Sequence, residues 1–408
     1  MSAPAGTSVL TGNEAAAIAA RLARVQVVAA YPITPQSPVV ETLSRWVDQG
    51  ELRAEFVRVE SEHSALTVCI AAATVGARTF TATSANGLAY MNEQVWWAAG
   101  ARLPVVMCCV NRAMAAPWNV LNDQQDSMSV RDAGWVQLYC RDNQEILDAT
   151  LQAFRIAERL HLPVMVCYDG FLLSHTSTPV TVPDAAAVDA FLPPGAPLTV
   201  VDLARPRNIG PVTLADPRAD ADGVLCHGYM ELRALHQRAL EEALDVIPEV
   251  ERAFAGAFGR GRGGLVWSHL LDDAEVALVA AGSLAMEATV AAEALRAGGV
   301  RAGVLGIRAY RPFPSAAIRA ALGGKRLAVV LDKAMSYGHE GPICSDVRGA
   351  LLGSDAAPAV FGAVAGLGGR EVAAPQIAET VRRAVRDHDG GARVRRAEWI
   401  NLKLEGTP

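Results

Sequence analysis

The stretch AAYPITPQSPVVETL, residues 29–43, decides how the chain is read. Three prolines, Pro32, Pro35 and Pro38, fall within seven residues, between an apolar run that begins at Val25 and a helical pattern that begins at Val39. Proline fixes φ and has no N–H to donate, so this density suits neither a central strand nor a helix interior. The segment is a stiff extended turn at the carboxyl end of a strand, with the Thr34 hydroxyl in its middle. In open α/β sheets ligands collect at that end.

Outward from this turn, short apolar runs alternate with helical patterns. Val25–Ala30, Arg78–Ala82, Val105–Val110 and Val164–Cys167 read as buried parallel strands. Asn13–Ala23, Ser64–Ala73, Met91–Ala99 and Asn143–Leu160 read as the helices between them. The alternation predicts an α/β fold with helices on both faces of a parallel sheet over residues 1–180. Residues 181–262 are rich in Pro, Asp and Ala and predict an extended crossover with one helix, Met230–Val250, closed by GRGRGG at 259–264. A connection of that length wraps a neighbouring domain or subunit. Over 263–408 the alternation returns, with strands at Val276–Ala280, Ala302–Ile307, Leu327–Leu331 and near Val360, predicting a second, smaller α/β domain.

The bulk numbers narrow the function classes. With 408 residues and 51% hydrophobic content the chain can bury more than one core. The net charge of -6 is scattered, and no basic patch carries interleaved aromatics, which argues against nucleic acid. No apolar run approaches the ~20 residues of a membrane span, and the first residues, MSAPAGTSVL, lack the charged and apolar regions of a signal peptide. Seven cysteines without a CxxC pair suit a reducing cytoplasm, and they cannot hold an iron–sulfur cluster in the usual four-cysteine manner.

Three places at strand ends carry candidate chemistry. Thr34 lies in the proline turn. Glu60, Glu62 and His63 open a helix in RVESEHSALTV (58–68), where the helix dipole favours a carboxylate and where a capping acid is the ordinary reading. Arg112 follows the strand in CCVNRAMAAPWNVLNDQQD (108–126), a loop suited to an anion. Asp123 and Asp126 in that loop look like a metal pair but lack a third ligand, so turn-forming acids fit them better. GSLAMEA (282–288) is an ordinary strand-to-helix turn. TATSANGLAYMNE (81–93) is a small-residue turn against which a flat ring can lie.

Taken in order, these segments resemble the alpha chain of the 2-oxoacid:ferredoxin oxidoreductases. AAYPITPQSPVVETL, VESEHSA (59–65), TATSANGLAYMNE, RDAGWVQLYCRDNQEILDATLQAFRIAE (131–158), LPVMVCYDGFLLSHT (162–176), GIRAYRPFP (306–314) and VAGLGGREV (364–372) match the family's motifs. The resemblance implies an N-terminal thiamine diphosphate pyrimidine-binding domain and a C-terminal domain like that of transketolase. It implies that Glu62 hydrogen-bonds the pyrimidine nitrogen N1′ and promotes the imino form that activates the thiazolium. It places Thr34 and Arg112 at the substrate carboxylate, and Tyr31, Pro32 and Asn86 along the cofactor.

The same resemblance implies what lies elsewhere. No GDG motif is present, so a beta subunit would bind the diphosphate and Mg²⁺. Iron–sulfur clusters would sit on partner chains, with gamma and ferredoxin-like delta subunits in the assembly. Coenzyme A would take the acyl group, and ferredoxin or an NAD-linked flavin subunit the electrons. The implied activity is CoA-dependent oxidative decarboxylation, with pyruvate as the expected 2-oxo acid. Two departures concern the substrate: Trp118 is new beside the pocket, and the family's Asp-His-Ser-Asp reads Asp123-Gln124-Gln125-Asp126. An indole there suits an aryl substrate such as phenylglyoxylate. A non-oxidative thiamine enzyme half and a catalytically silent scaffold are the rival classes.

Overall fold

The computed structural model describes residues 6–193, 218–219, 225–226, 228–391 and 397–404. Its first region contains β1 (Gly6–Leu10), α1 (Gly12–Leu22), β2 (Val27–Ala30), α2 (Ser37–Asp48), β3 (Glu55–Arg58), α3 (Glu62–Thr74), β4 (Thr79–Thr83), α4 (Ala85–Tyr90), α5 (Asn92–Gly100) and β5 (Val105–Asn111). It continues through α6 (Gln125–Ser129), β6 (Val136–Tyr139), α7 (Asn143–Leu160), β7 (Val164–Asp169), β8 (Thr178–Val182) and α8 (Ala185–Phe191). A two-residue antiparallel pair, β9 (Arg218–Ala219) and β10 (Leu225–Cys226), precedes the long helix α9 (Tyr229–Phe258). The last region holds β11 (Val266–His269), β12 (Val276–Ala281), α10 (Ser283–Ala297), β13 (Ala302–Ile307), β14 (Ala309–Arg311), α11 (Ser315–Leu322), β15 (Leu327–Asp332), α12 (Pro342–Leu351), β16 (Ala359–Val364), α13 (Ala374–Asp389) and β17 (Glu398–Trp399).

Two parallel-rich sheets organise the chain. The first has the order β14-β6-β7-β5-β4-β2-β3 and the second β11-β13-β12-β15-β16-β17. All neighbours are parallel except β14 beside β6 and β11 beside β13. The central strands β5 (VVMCCVN) and β7 (VMVCYD) are buried at every residue, because helices cover both faces. One face packs on α1, α7 and α9 through Ala15, Phe154 and Val246; the other packs on α3 and α5 through Leu66 and Val95. Each such fully buried Val, Leu or Phe side chain contributes about 1.5–3 kcal/mol.

The structure adds elements to the sequence reading. The stretch assigned to a crossover with one helix also holds α8, whose alanine-rich first turn is capped by Asp184 accepting from Ala186 N. The expected helix Met91–Ala99 is α5, and a further short helix, α4, precedes it and ends at Tyr90. The helix expected over Met230–Val250 runs 30 residues and carries Pro248 in its interior. Residues 194–217 of the crossover lie outside the described residues.

The two sheets are joined covalently and by strand donation. β14 leaves the second region and adds antiparallel to the edge of the first sheet, with Ala309 opposite Leu138. The preceding Arg308 is fully buried. It donates to Glu145 Oε1 (2.9 Å), Gln152 Oε1 (2.9 Å) and the Gly264 carbonyl (3.0 Å). The GRGRGG breaker is itself a clamp: Arg260 donates to both oxygens of Asp148, and Arg262 to Asp142, at the start of α7.

Candidate active site

The proline turn is held by its carbonyls. Gln36 Nε2 donates to the Tyr31 carbonyl (2.8 Å), Arg112 Nη1 to the Thr34 carbonyl (2.7 Å) and Asn13 Nδ2 to the Pro35 carbonyl (2.8 Å). Prolines supply few donors of their own, so three neighbouring side chains fix the turn from outside. The Thr34 side chain stays exposed above it, and Tyr31 and Pro32 form the exposed outer edge.

Glu62 is the first residue of α3, after Ser61, whose hydroxyl caps Ser64 N. The two acids of VESEH divide the work. Glu60 is exposed and accepts from the Ser61 and Ser64 hydroxyls, and the Ser64 bond holds its carboxyl below the usual range. Glu62 is only 7% exposed, and no hydrogen-bond partner faces it among the described residues. Its carboxylate lies against α4: a Cβ at Gly87 would stand 2.7 Å from Glu62 Oε1 and 2.7 Å from Thr83 Oγ1. A side chain there would displace the Glu62 carboxylate or the Thr83 hydroxyl. Around this point Thr83 Oγ1, Ser84 Oγ and Arg112 Nε are buried without partners among the described residues.

Arg112 is 6% exposed. Burial lowers its pKa, and the nearby Asp126 and Glu62 carboxylates raise it. Thr34, Glu62 and Arg112, singled out in the sequence, are thus brought together. Asn86 is committed to the chain itself: Oδ1 accepts from Ala115 N (2.9 Å) and Nδ2 donates to the Ala115 carbonyl (3.4 Å). Trp118, in the loop that Asn86 steadies, is 71% exposed. His63 turns away, toward Glu93 and Gln94.

The loop from Arg112 to Asp126 is gripped by the second sheet at its carboxyl end. Asn119 Nδ2 donates to the Gly368 carbonyl (3.0 Å), Gly369 N to the Asn122 carbonyl (2.7 Å) and Gly368 N to Asp123 Oδ2 (3.2 Å). Beneath it, Asp169 at the end of β7 accepts from Lys333 Nζ (3.1 Å) and from the Ser283 hydroxyl. Burial between the two sheets pushes the Asp123 carboxyl up to about 6. Among the described residues no cluster of three His, Cys, Asp or Glu could hold a metal. The residues that reading the sequence did not single out are Gly87, Asn13 and Gln36, and Asp126 was read there only as a turn acid. Gly87 alone left a signal, as the middle of the small-residue turn.

A partly buried carboxylate without a hydrogen-bond partner among the described residues thus stands at a helix start, beside a close glycine and orphaned hydroxyls, where a flat nitrogen heterocycle could be held. The family described as pyruvate flavodoxin/ferredoxin oxidoreductase, thiamine diphosphate-binding, matches residues 18–251. The pyruvate:ferredoxin oxidoreductase core domain II matches residues 274–377. The ketoisovalerate oxidoreductase subunit VorA of Pyrococcus abyssi is 43% identical over 399 residues, 97% of this chain and 98% of its own. The pyruvate synthase subunit PorA of Methanocaldococcus jannaschii is 44% identical over 400 residues, again 97% and 98%. The chain belongs to the alpha subunits of the 2-oxoacid:ferredoxin oxidoreductases. Its fold is also that of a 2-oxoglutarate:ferredoxin oxidoreductase from Magnetococcus marinus, at a TM-score of 0.68 and 18% identity, over 94% of this chain and 66% of that one.

The residues present fit the aminopyrimidine of thiamine diphosphate: the Glu62 carboxylate and the close approach at Gly87 suit a ring whose nitrogens offer both a basic atom and N–H groups. Among the described residues no helix is long and apolar enough to cross a membrane.

Proposed function

We propose that this chain supplies the pyrimidine half of a thiamine diphosphate site in a CoA-dependent 2-oxo acid oxidoreductase, with pyruvate as its substrate. The observation that carries the reading is the Glu62 carboxylate, buried, without a hydrogen-bond partner among the described residues and fitted against Gly87. Thiamine diphosphate, when bound, supplies the electron sink that decarboxylation of a 2-oxo acid needs. Glu62 would hold a proton toward the pyrimidine nitrogen N1′, and the hydroxyls of Thr83 and Ser84, buried without partners among the described residues, would be available to the same group. Tyr31 and Pro32 border the same space. Asn86 acts on it through Ala115.

Arg112 takes the substrate carboxylate. One nitrogen, Nη1, is spent on the Thr34 carbonyl, which leaves the other terminal nitrogen for the anion and ties the guanidinium to the turn that carries the Thr34 hydroxyl. The turn is held before substrate arrives, so no ordering cost falls on binding. The thiamine-binding part is assigned to residues 1–180 and the transketolase-like part to 263–408.

The missing half belongs to a beta subunit, which brings the diphosphate and Mg²⁺ ligands. Iron–sulfur clusters belong to partner chains; the six described cysteines are buried, and burial pushes the Cys69 and Cys108 thiols up to about 12. Gamma and ferredoxin-like delta subunits complete the assembly, and ferredoxin accepts the electrons. Ketoisovalerate is the second reading, favoured by a relative of nearly equal identity that bears that name. Phenylglyoxylate has only the exposed Trp118 in its favour.

The test is CoA-dependent viologen reduction by the complex co-purified with this chain, offered pyruvate, ketoisovalerate and phenylglyoxylate in turn. Glu62→Gln is expected to lower turnover with the accepted acid by at least ~100-fold while the complex still assembles. Full activity in Glu62→Gln sinks the cofactor reading, and turnover of phenylglyoxylate alone sinks the aliphatic substrate.

A further inference from the structure

Asp126 is the most heavily committed carboxylate near the site, and it touches no space a substrate could enter. It is fully buried in α6. Oδ2 accepts from the backbone N–H of Ala85 (2.9 Å) and of Arg112 (3.0 Å). Oδ1 accepts from Asn111 Nδ2 (2.7 Å) and from Ser127 N (2.8 Å). The Cys109 thiol adds a longer contact at 3.7 Å. A carboxylate has about four lone-pair directions, and all are taken by N–H donors.

The two donors on Oδ2 come from the ends of adjacent strands. Ala85 follows β4 and has φ +43°, a left-handed conformation that a residue with a side chain seldom adopts. Arg112 follows β5. The carboxylate therefore bridges the mouths of two strands, holding one in an unfavourable conformation and fixing the Cα from which the Arg112 side chain departs. Burial of the anion opposes this arrangement and the donors favour it, so the position is retained against its own desolvation.

We propose that Asp126 is a positioning residue for the 2-oxo acid site, setting through the Arg112 and Ala85 N–H groups where the Arg112 guanidinium stands. The proposal rests on the reading of Arg112 as the group that takes the substrate carboxylate. Asn in place of Asp keeps the shape but turns an NH2 group toward one pair of N–H donors, Ala85 and Arg112 or Asn111 and Ser127, and replaces the anion on the other pair with a weaker amide oxygen, so the bridge loosens in either orientation. The guanidinium then loses its fixed origin, and capture of the acid suffers more than the chemistry that follows it.

The experiment uses the co-purified complex with pyruvate or ketoisovalerate, whichever acid it turns over, and compares wild type, Arg112→Gln, Asp126→Asn and the double variant. Arg112→Gln is expected to raise KM by at least ~10-fold. Asp126→Asn is expected to raise KM on the order of 10-fold with kcat within ~3-fold of wild type, and the double variant to stay within ~2-fold of Arg112→Gln. Multiplicative effects in the double variant, or a fall in kcat without a rise in KM, overturn the proposal. An unchanged KM in Arg112→Gln overturns the reading of Arg112 itself and is visible without the other variants. Should Asp126→Asn fail to assemble, Asn111→Ala withdraws one donor and leaves the carboxylate in place. It is expected to raise KM ~3-fold at unchanged kcat, and an unchanged KM there is again a refutation.

Discussion

Oε1 of Glu62 lies 2.7 Å from the place a Cβ would occupy at Gly87, so the carboxylate and the helix share a space that opens only when residue 87 is glycine. Within α4 alanine is a better helix former than glycine by about 1 kcal/mol, so helix propensity by itself favours the larger residue. The close approach works against it.

Gly87→Ala is therefore expected to separate function from stability. The added methyl displaces the Glu62 carboxylate, and Thr83 blocks the other way out. Activity of the assembled complex should fall at least ~10-fold, because displacements of about 1 Å at reacting groups cost that much or more. The melting temperature should stay within a few degrees of wild type. A variant with wild-type turnover shows that Glu62 is not held by this contact.

Arg308 makes the opposite separation. Its guanidinium is fully buried against Glu145, Gln152 and the Gly264 carbonyl, far along the chain from the proline turn. Arg308→Ala removes the close cation of the buried Glu145 carboxylate and leaves it only the longer Arg141 ion pair at 3.7 Å, a loss at the low end of the about 3–5 kcal/mol for breaking a buried pair. Loss of cooperative unfolding or of soluble yield is the expected outcome, measured by chemical denaturation of the complex. Arg308→Ala with the wild-type denaturation midpoint refutes the assignment of a structural lock.

Asp123 gives a pH signature. Its folded pKa is raised from 3.8 to about 6, chiefly by burial and next by Asp126, with Gln125 N, Gly368 N and Lys333 opposing. A carboxyl raised on folding binds more protons in the folded state between those two values, so stability falls as pH climbs through that window. Comparing wild type with Asp123→Asn between pH 4 and 6, the wild type should lose stability relative to the variant as pH rises, with the difference levelling off above pH 6. Parallel curves for the two proteins show that Asp123 does not titrate between the sheets.

The sequence was readable where one residue carries its own message. Pro32, Pro35 and Pro38 mark the stiff turn, and Val105–Val110 and Val164–Cys167 mark central strands, because such signals are local. Thr34, Glu62 and Arg112 stood out because each lies just past an apolar run. β6 was missed: it is four residues long and includes Gln137, whose amide is buried on the Ser127 carbonyl. β14 is three residues and pairs with a strand about 170 positions earlier in the chain, a partnership with no local trace. Asp126 looked like a turn acid since its sequence neighbours permit one; three of its four close donors lie 14 or more residues away. The family resemblance placed Asn86 along the cofactor, and the structure adds that both its polar ends bond Ala115.

The donated strand β14 has an evolutionary consequence. Residues 309–311 close the edge of a sheet encoded mostly before residue 170, so a gene split anywhere between 264 and 308 would part the first sheet from its own border. Each product would then expose raw strand edge, at β6 on one side and along β14 on the other, an invitation to mispairing. Shuffling the two halves among relatives is constrained for the same reason: a transplanted second half must bring a border that fits someone else's β6.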